Sequence, residues 1–127
     1  MKLDPSIKIL VVDDFATMRR ILRNILAQLK FKHVIEASDG ASALNILKSE
    51  KVDLIISDWN MPNMTGLDLL KAVRADPHMA NIPFIMVTAE AQQDNIIMAI
   101  KAKVSQYVVK PFTAETLGEK IQKICSN

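Results

Sequence analysis

Three short runs, Ile9–Val12, Leu54–Ile56 and Phe84–Val87, are apolar at every position, with no alternation of inside and outside. A strand with that pattern is covered on both faces, which requires a sheet sandwiched between helices. The runs fall in three of five β-branched segments, Lys8–Val12, His33–Ile35, Val52–Ser57, Phe84–Thr88 and Tyr107–Val109. Helix-spaced segments separate them. The clearest stripe is Met18, Ile21, Leu22, Ile25, Leu26 and Leu29, which leaves Arg19, Arg20, Arg23 and Lys30 on the solvated side. Others fit Ala41, Leu44 and Leu47; Leu67, Leu70 and Val73; an unusually apolar stretch near Asp94–Ala102; and Leu117, Ile121 and Ile124, with Thr113 as N-cap. Strict alternation of five strands with five helices predicts an α/β fold, a (βα)5 doubly wound three-layer sandwich. Right-handed crossovers then give a five-stranded parallel sheet of order 2-1-3-4-5.

At 127 residues the chain has the size of one ordinary domain, and residues 1–127 read as that domain with nothing appended. Half the residues are hydrophobic and 24% are charged, which excludes disorder. Lys plus Arg number 16 against 14 for Asp plus Glu; a net +2 is too small an excess for a phosphate-neutralising nucleic-acid binder. Cys125 is the only cysteine, so an intrachain disulfide scaffold is excluded. No apolar run approaches the roughly 20 residues of a membrane helix, and Met1–Ser6 lacks a signal-peptide core. A cytoplasmic monomer with no membrane insertion is the expectation. His33 and His78 lack metal-ligand spacing and read as surface residues.

Open parallel sheets bind ligands at the carboxyl ends of their strands, where the strand order reverses. Strand 1 ends in Asp13-Asp14, strand 3 in Asp58, strand 4 in Thr88 and strand 5 in Lys110-Pro111. Each has a plain structural explanation. Asp14 can cap a helix, Asp58 can start the Asn60–Pro62 turn, Thr88 can cap a strand, and Lys110 can be a solvated loop lysine. Taken together, those explanations require four coincidences at one edge. Three carboxylates about 4–5 Å apart repel by several kcal/mol per pair, so such a cluster raises a pKa or holds a hard cation. Mg²⁺ takes one or two carboxylates plus phosphate oxygens, an ammonium and a hydroxyl meet the remaining phosphate charge, and a carboxylate can itself be the nucleophile. On this reading neutralising Asp13 should raise the melting temperature in chelator.

These residues resemble the signature of two-component receiver domains over the whole chain. The match is closest to the chemotaxis regulators: Val12–Arg20 resembles their first loop and helix, and Ser57–Pro62 their phosphorylation loop. Thr88–Ala91 and Tyr107–Thr113 resemble their switch segments. The order 2-1-3-4-5 is also the receivers' own, so topology and resemblance are not independent witnesses. The resemblance implies that Asp58 accepts a phosphoryl group from a chemotaxis histidine kinase, forming an aspartyl-phosphate. Asp13, Asp14, Asp58 and the backbone carbonyl of Asn60 would hold Mg²⁺, with the Asn60 side chain influencing hydrolysis. Lys110 would contact the phosphoryl oxygen and form a cis peptide with Pro111. Thr88 and Tyr107 would be the switch pair that reshapes the face of helix 4, strand 5 and helix 5. That face, with Ile96 exposed beside Tyr107 and Lys120, would dock the flagellar motor switch; a dedicated phosphatase is a further possible partner. No enzyme activity on a separate substrate is implied.

Three residues depart from the receiver pattern: Lys103 and Gln106 stand where glycines are usual, and Gly118 lies inside helix 5. All are expected on or beside the output face. A phosphorelay intermediate, a phosphate sink and a receiver with a non-flagellar partner use the same site and stay open. An aspartate-based small-molecule phosphatase resembles a pattern with a second Asp where Asn60 stands. A flavodoxin-like cofactor carrier needs a phosphate-cradling loop after strand 1, and Asp14-Phe15-Ala16-Thr17 has no glycine and the wrong charge.

Overall fold

The computed structural model describes residues 5–89 and 92–125, with the side chain of Cys125 left out. Glu90 and Ala91, which complete one of the switch-like segments, lie outside the described residues. In chain order the elements are β1 (Lys8–Val12), α1 (Ala16–Gln28), β2 (His33–Ala37), α2 (Gly40–Ser49), β3 (Leu54–Ser57), α3 (Gly66–Ala75), β4 (Phe84–Thr88), α4 (Gln93–Lys101), β5 (Gln106–Val109) and α5 (Ala114–Cys125). The strands form one parallel sheet in the order β2-β1-β3-β4-β5, as the apolar runs predicted.

Alternate residues of each strand point to opposite faces, so every buried strand feeds two cores. Leu10, Val12, Ile55, Phe84 and Met86 pack with Leu47, Leu70 and Val73 of α2 and α3. Ile9, Val11, Ile56, Ile85 and Val87 pack with Leu22 and Leu26 of α1 and Leu117 and Ile121 of α5. The α1 stripe is narrower than its spacing suggested. Leu22 and Leu26 are fully covered, whereas Ile21, on the margin of the stripe, is 42% exposed. Helix starts follow capping chemistry: Asp39 accepts from the Ser42 amide, and Thr65 and Asp68 form a reciprocal capping box. Thr113 caps α5 as expected, its Oγ1 accepting from the Thr116 amide.

The usual glycine after α4 is absent, yet the left-handed turn is kept. Lys103 has φ 68°, and the amides of Lys103 and Val104 donate back to Ile100 and Ala99. Lys30 closes α1 in the same way at φ 78°. Arg74 secures the α4–β5 turn from outside by donating to the Lys103 carbonyl at 2.9 Å and to Ile82 at 2.6 Å. A side chain in the left-handed region costs about 1 kcal/mol relative to glycine. Lys103→Gly is therefore expected to raise the urea midpoint by that amount of stability; an unchanged or lower midpoint would show that the Lys103 side chain contributes contacts of equal worth. Gly118 does not belong to the output face: a Cβ there would meet Leu29, the C-cap of α1, at 3.1 Å, so it eases the packing of α5 against the end of α1 instead.

Candidate functional site

The sheet register brings the strand-end residues level. Val12 pairs with Ser57 across β1 and β3, the Asp58 amide donates to Val12, and the Lys110 amide donates to Thr88 at 2.9 Å. Asp13, Asp58 and Thr88 are consequently buried side by side at the carboxyl edge, while Asp14 is exposed above them. Carboxylate oxygens of Asp13, Asp14 and Asp58 lie within 4.8 Å of one another, one from each residue. Hard oxygen donors in that number fit a divalent cation, whose remaining coordination positions go to water or phosphate oxygens.

Lys110 reaches into the cluster from β5. Its Nζ is 3.3 Å from Asp13 Oδ2 and 3.6 Å from Asp58 Oδ2, and its peptide bond to Pro111 is cis. Each Asp also has an amide donor: Phe15 to Asp13 Oδ1 at 2.9 Å, and Trp59 to Asp58 Oδ1 at 2.8 Å. Phe15 is the N-cap of α1 and makes no side-chain cap, so neither Asp13 nor Asp14 is the capping residue. Burial pushes the Asp58 carboxyl above its ordinary value of 3.8, with the Asp13 charge adding to the rise and Lys110 opposing it. Asp13, by contrast, already holds the nearer lysine contact. Neutralising Asp58 would relieve its burial as well as the repulsion from Asp13, so a higher melting temperature in chelator is expected there too.

Beside the cluster, Trp59 packs edge-on against Tyr107, their ring centroids 6.5 Å apart. Tyr107 is half-buried, Asn60 is exposed, and Lys120 is half-buried on α5. Ile96 is half-buried rather than exposed. Ala99 is the buried residue of α4, and Ile96, three positions earlier, shares its inward face. On α4 and β5 the exposed large apolar residues are Ile97, Met98, Ile100 and Val109.

Two residues were missed in the sequence. Gly66 starts α3 with its amide donating to Trp59, and a Cβ there would lie 2.1 Å from the Asp58 carbonyl oxygen. The Thr65…Asp68 capping pattern around it marks the helix start, but nothing local marks the close approach. Arg19, read as solvated, has a largely covered side chain that donates to the Asp13 carbonyl at 2.6 Å and to Glu36.

A doubly wound parallel sheet with an acidic cluster and a lysine at its switch point is the frame of a receiver domain. Comparison with known families agrees: the response regulator receiver domain matches residues 9–122. The chain belongs to the response regulator receiver family, and within it to the CheY type of chemotaxis regulator. It is 58% identical to chemotaxis protein CheY of Pseudomonas aeruginosa over 92% of this chain and 94% of that protein. It is 52% identical to chemotaxis protein CheY-3 of Vibrio cholerae over 96% of this chain and 94% of that one. Among solved structures, CheY4 of Vibrio cholerae superposes with a TM-score of 0.87 at 34% identity, covering 94% of this chain and 98% of that chain. A putative response regulator from Chloroflexus aurantiacus reaches 0.90 at 28% identity, covering 96% and 99%.

Proposed function

We propose that this domain is a phosphorylation switch of chemotaxis, in which Asp58 takes a phosphoryl group from a phosphohistidine on a chemotaxis kinase. The observation that carries the reading is the placement of Lys110 Nζ against both Asp13 and Asp58 within the three-carboxylate cluster. Asp58 Oδ1 is tied to the Trp59 amide, so Oδ2, which faces Lys110, is the attacking oxygen. A P–O bond forms there as the P–N bond to the donor breaks, the electron pair leaving with the imidazole nitrogen. Lys110 neutralises charge on the transferring oxygens. Mg²⁺, held by Asp13, Asp14, Asp58 and the Asn60 carbonyl, would supply the rest of that neutralisation and allow the crowded carboxylates to coexist. Thr88 then bonds the new phosphoryl oxygen, and Tyr107 follows it. The rearrangement favours one state of the α4–β5–α5 face, whose exposed Ile97 and Ile100 are suited to an apolar segment of the flagellar motor switch. The domain acts as a cytoplasmic monomer and a switch, with slow hydrolysis and an optional phosphatase returning it to the resting state.

Titration with Mg²⁺ followed by acetyl phosphate, read by Trp59 fluorescence and intact mass, tests the chemistry. A saturable Mg²⁺ response and a mass increase of one phosphoryl group are expected. Absence of both would reduce the cluster to a structural feature. A motor-switch peptide should bind the phosphorylated domain at least tenfold more tightly than the resting one. Equal affinity would eliminate the motor role and favour a relay or sink.

A further inference from the structure

We propose that Arg19 is a positioning residue for the carboxylate cluster, fixing the loop that carries Asp13 and Asp14 and thereby setting its affinity for a divalent cation. This rests on the cation reading of the cluster. β2 ends at Ala37, level with Val12, so Asp13 has passed the end of the paired ladder and its carbonyl leaves the sheet. The Arg19 side chain, 18% exposed, points back along α1 and supplies a donor to that carbonyl. Its Nε donates to Glu36 Oε1 at 3.0 Å, while the other Glu36 oxygen takes Arg23 at 3.0 Å. The guanidinium therefore bridges the β1–α1 loop to the edge strand, with its orientation set by a carboxylate that is itself held on the other side. Lysine cannot reproduce that fork, because one ammonium has no planar pair of donors.

Sign separates positioning from simple charge. A cation beside three carboxylates repels Mg²⁺, so if charge were all, Arg19→Met would bind Mg²⁺ more tightly. If Arg19 fixes the loop, the same variant binds it about tenfold more weakly, as loss of an outer support commonly does. Arg19→Lys keeps the charge and loses the fork, and should bind nearly as weakly as Arg19→Met. Glu36→Gln, at the sheet edge, should shift affinity in the same direction by less. Its effect should largely vanish in the Arg19→Met background, because Glu36 acts through Arg19.

The test is a Mg²⁺ titration of the intact domain by Trp59 fluorescence, with thermal melts in chelator alongside to confirm folding. Weaker Mg²⁺ binding in both Arg19 variants, with non-additive Glu36→Gln, supports the assignment. Unchanged or tighter binding overturns it, even if the melting temperature falls, since that would be a purely structural tie. Should Arg19→Met fail to fold, Arg19→Lys alone decides, because it keeps the charge and loses only the fork. A wild-type domain that ignores Mg²⁺ would instead remove the cation reading on which this depends.

Discussion

Gly66→Ala should lower the melting temperature by about 10 °C and slow phosphoryl acceptance at Asp58 more than the fall in folded population explains. The added Cβ would stand 2.1 Å from the Asp58 carbonyl oxygen and 2.9 Å from Met86 Sδ. A methionine tip can move aside; a backbone carbonyl cannot move without the chain that carries it. That chain is fixed on three sides. The Asp58 amide donates to Val12, the Ser57 hydroxyl donates to the Asp58 carbonyl at 2.9 Å, and Gly66 itself donates to Trp59. Overpacking against such a support costs about 3 kcal/mol, which for a domain of this size is on the order of 10 °C. The displacement also reaches the reacting carboxylate, because Asp58 and Trp59 are the residues pushed. Differential scanning calorimetry together with acetyl phosphate kinetics under fully folding conditions would separate the two effects. A stable variant with the wild-type rate would mean that α3 can withdraw from the phosphorylation loop at little cost.

Gly66 illustrates which parts of the molecule were legible in the sequence. The sheet was, because burial on both faces leaves a local mark: every residue of Leu54–Ser57 and Phe84–Thr88 is buried, and all but Ser57 and Thr88 are apolar. The cluster was legible too, since topology alone brings the ends of β1, β3, β4 and β5 to one edge. Contacts that depend on three-dimensional approach leave no such mark. A glycine at the first turn of a helix looks unremarkable until the carbonyl above it is placed. Arg19 lies in a basic stretch with Arg20 and Arg23; Arg19 and Arg23 both pair with Glu36, and only the position of the Asp13 carbonyl shows that Arg19 is the one that reaches the loop. Ile96 was misplaced for a related reason. In Ile96-Ile97-Met98 hydrophobicity cannot set the rotation of α4, and the buried Ala99, a small residue that signals little, decides it.

Asp58→Asn should abolish the phosphoryl adduct and, in chelator at neutral pH, melt higher than the parent. The first outcome follows from removing the attacking oxygen. The second follows from the resting electrostatics. Burial and the neighbouring Asp13 charge raise the Asp58 pKa in the folded state, so the folded protein holds that proton more tightly than the unfolded chain. Stability contributed by this group therefore falls as pH rises from the ordinary 3.8 through the raised value. Asparagine never carries the charge. Its advantage should be present at pH 7, shrink as pH falls through the raised pKa, and be gone below the unfolded value. Lys110 is not stranded by the change, because Asp13 stays 3.3 Å away, and the Asn amide oxygen can still accept from Trp59. Asp13→Asn removes the nearer partner of Lys110 and should gain less. Mg²⁺ works against the gap: a ligand that binds the folded cluster stabilises the parent by mass action and stabilises Asp58→Asn less. Thermal melts across pH 4–8, in chelator and in Mg²⁺, would show a gap that closes in acid and narrows with metal. A parent that melts higher than Asp58→Asn in chelator at pH 7 would mean that Lys110 compensates the buried charge in full. In that case the crowding of carboxylates would no longer explain why this edge should seek a cation.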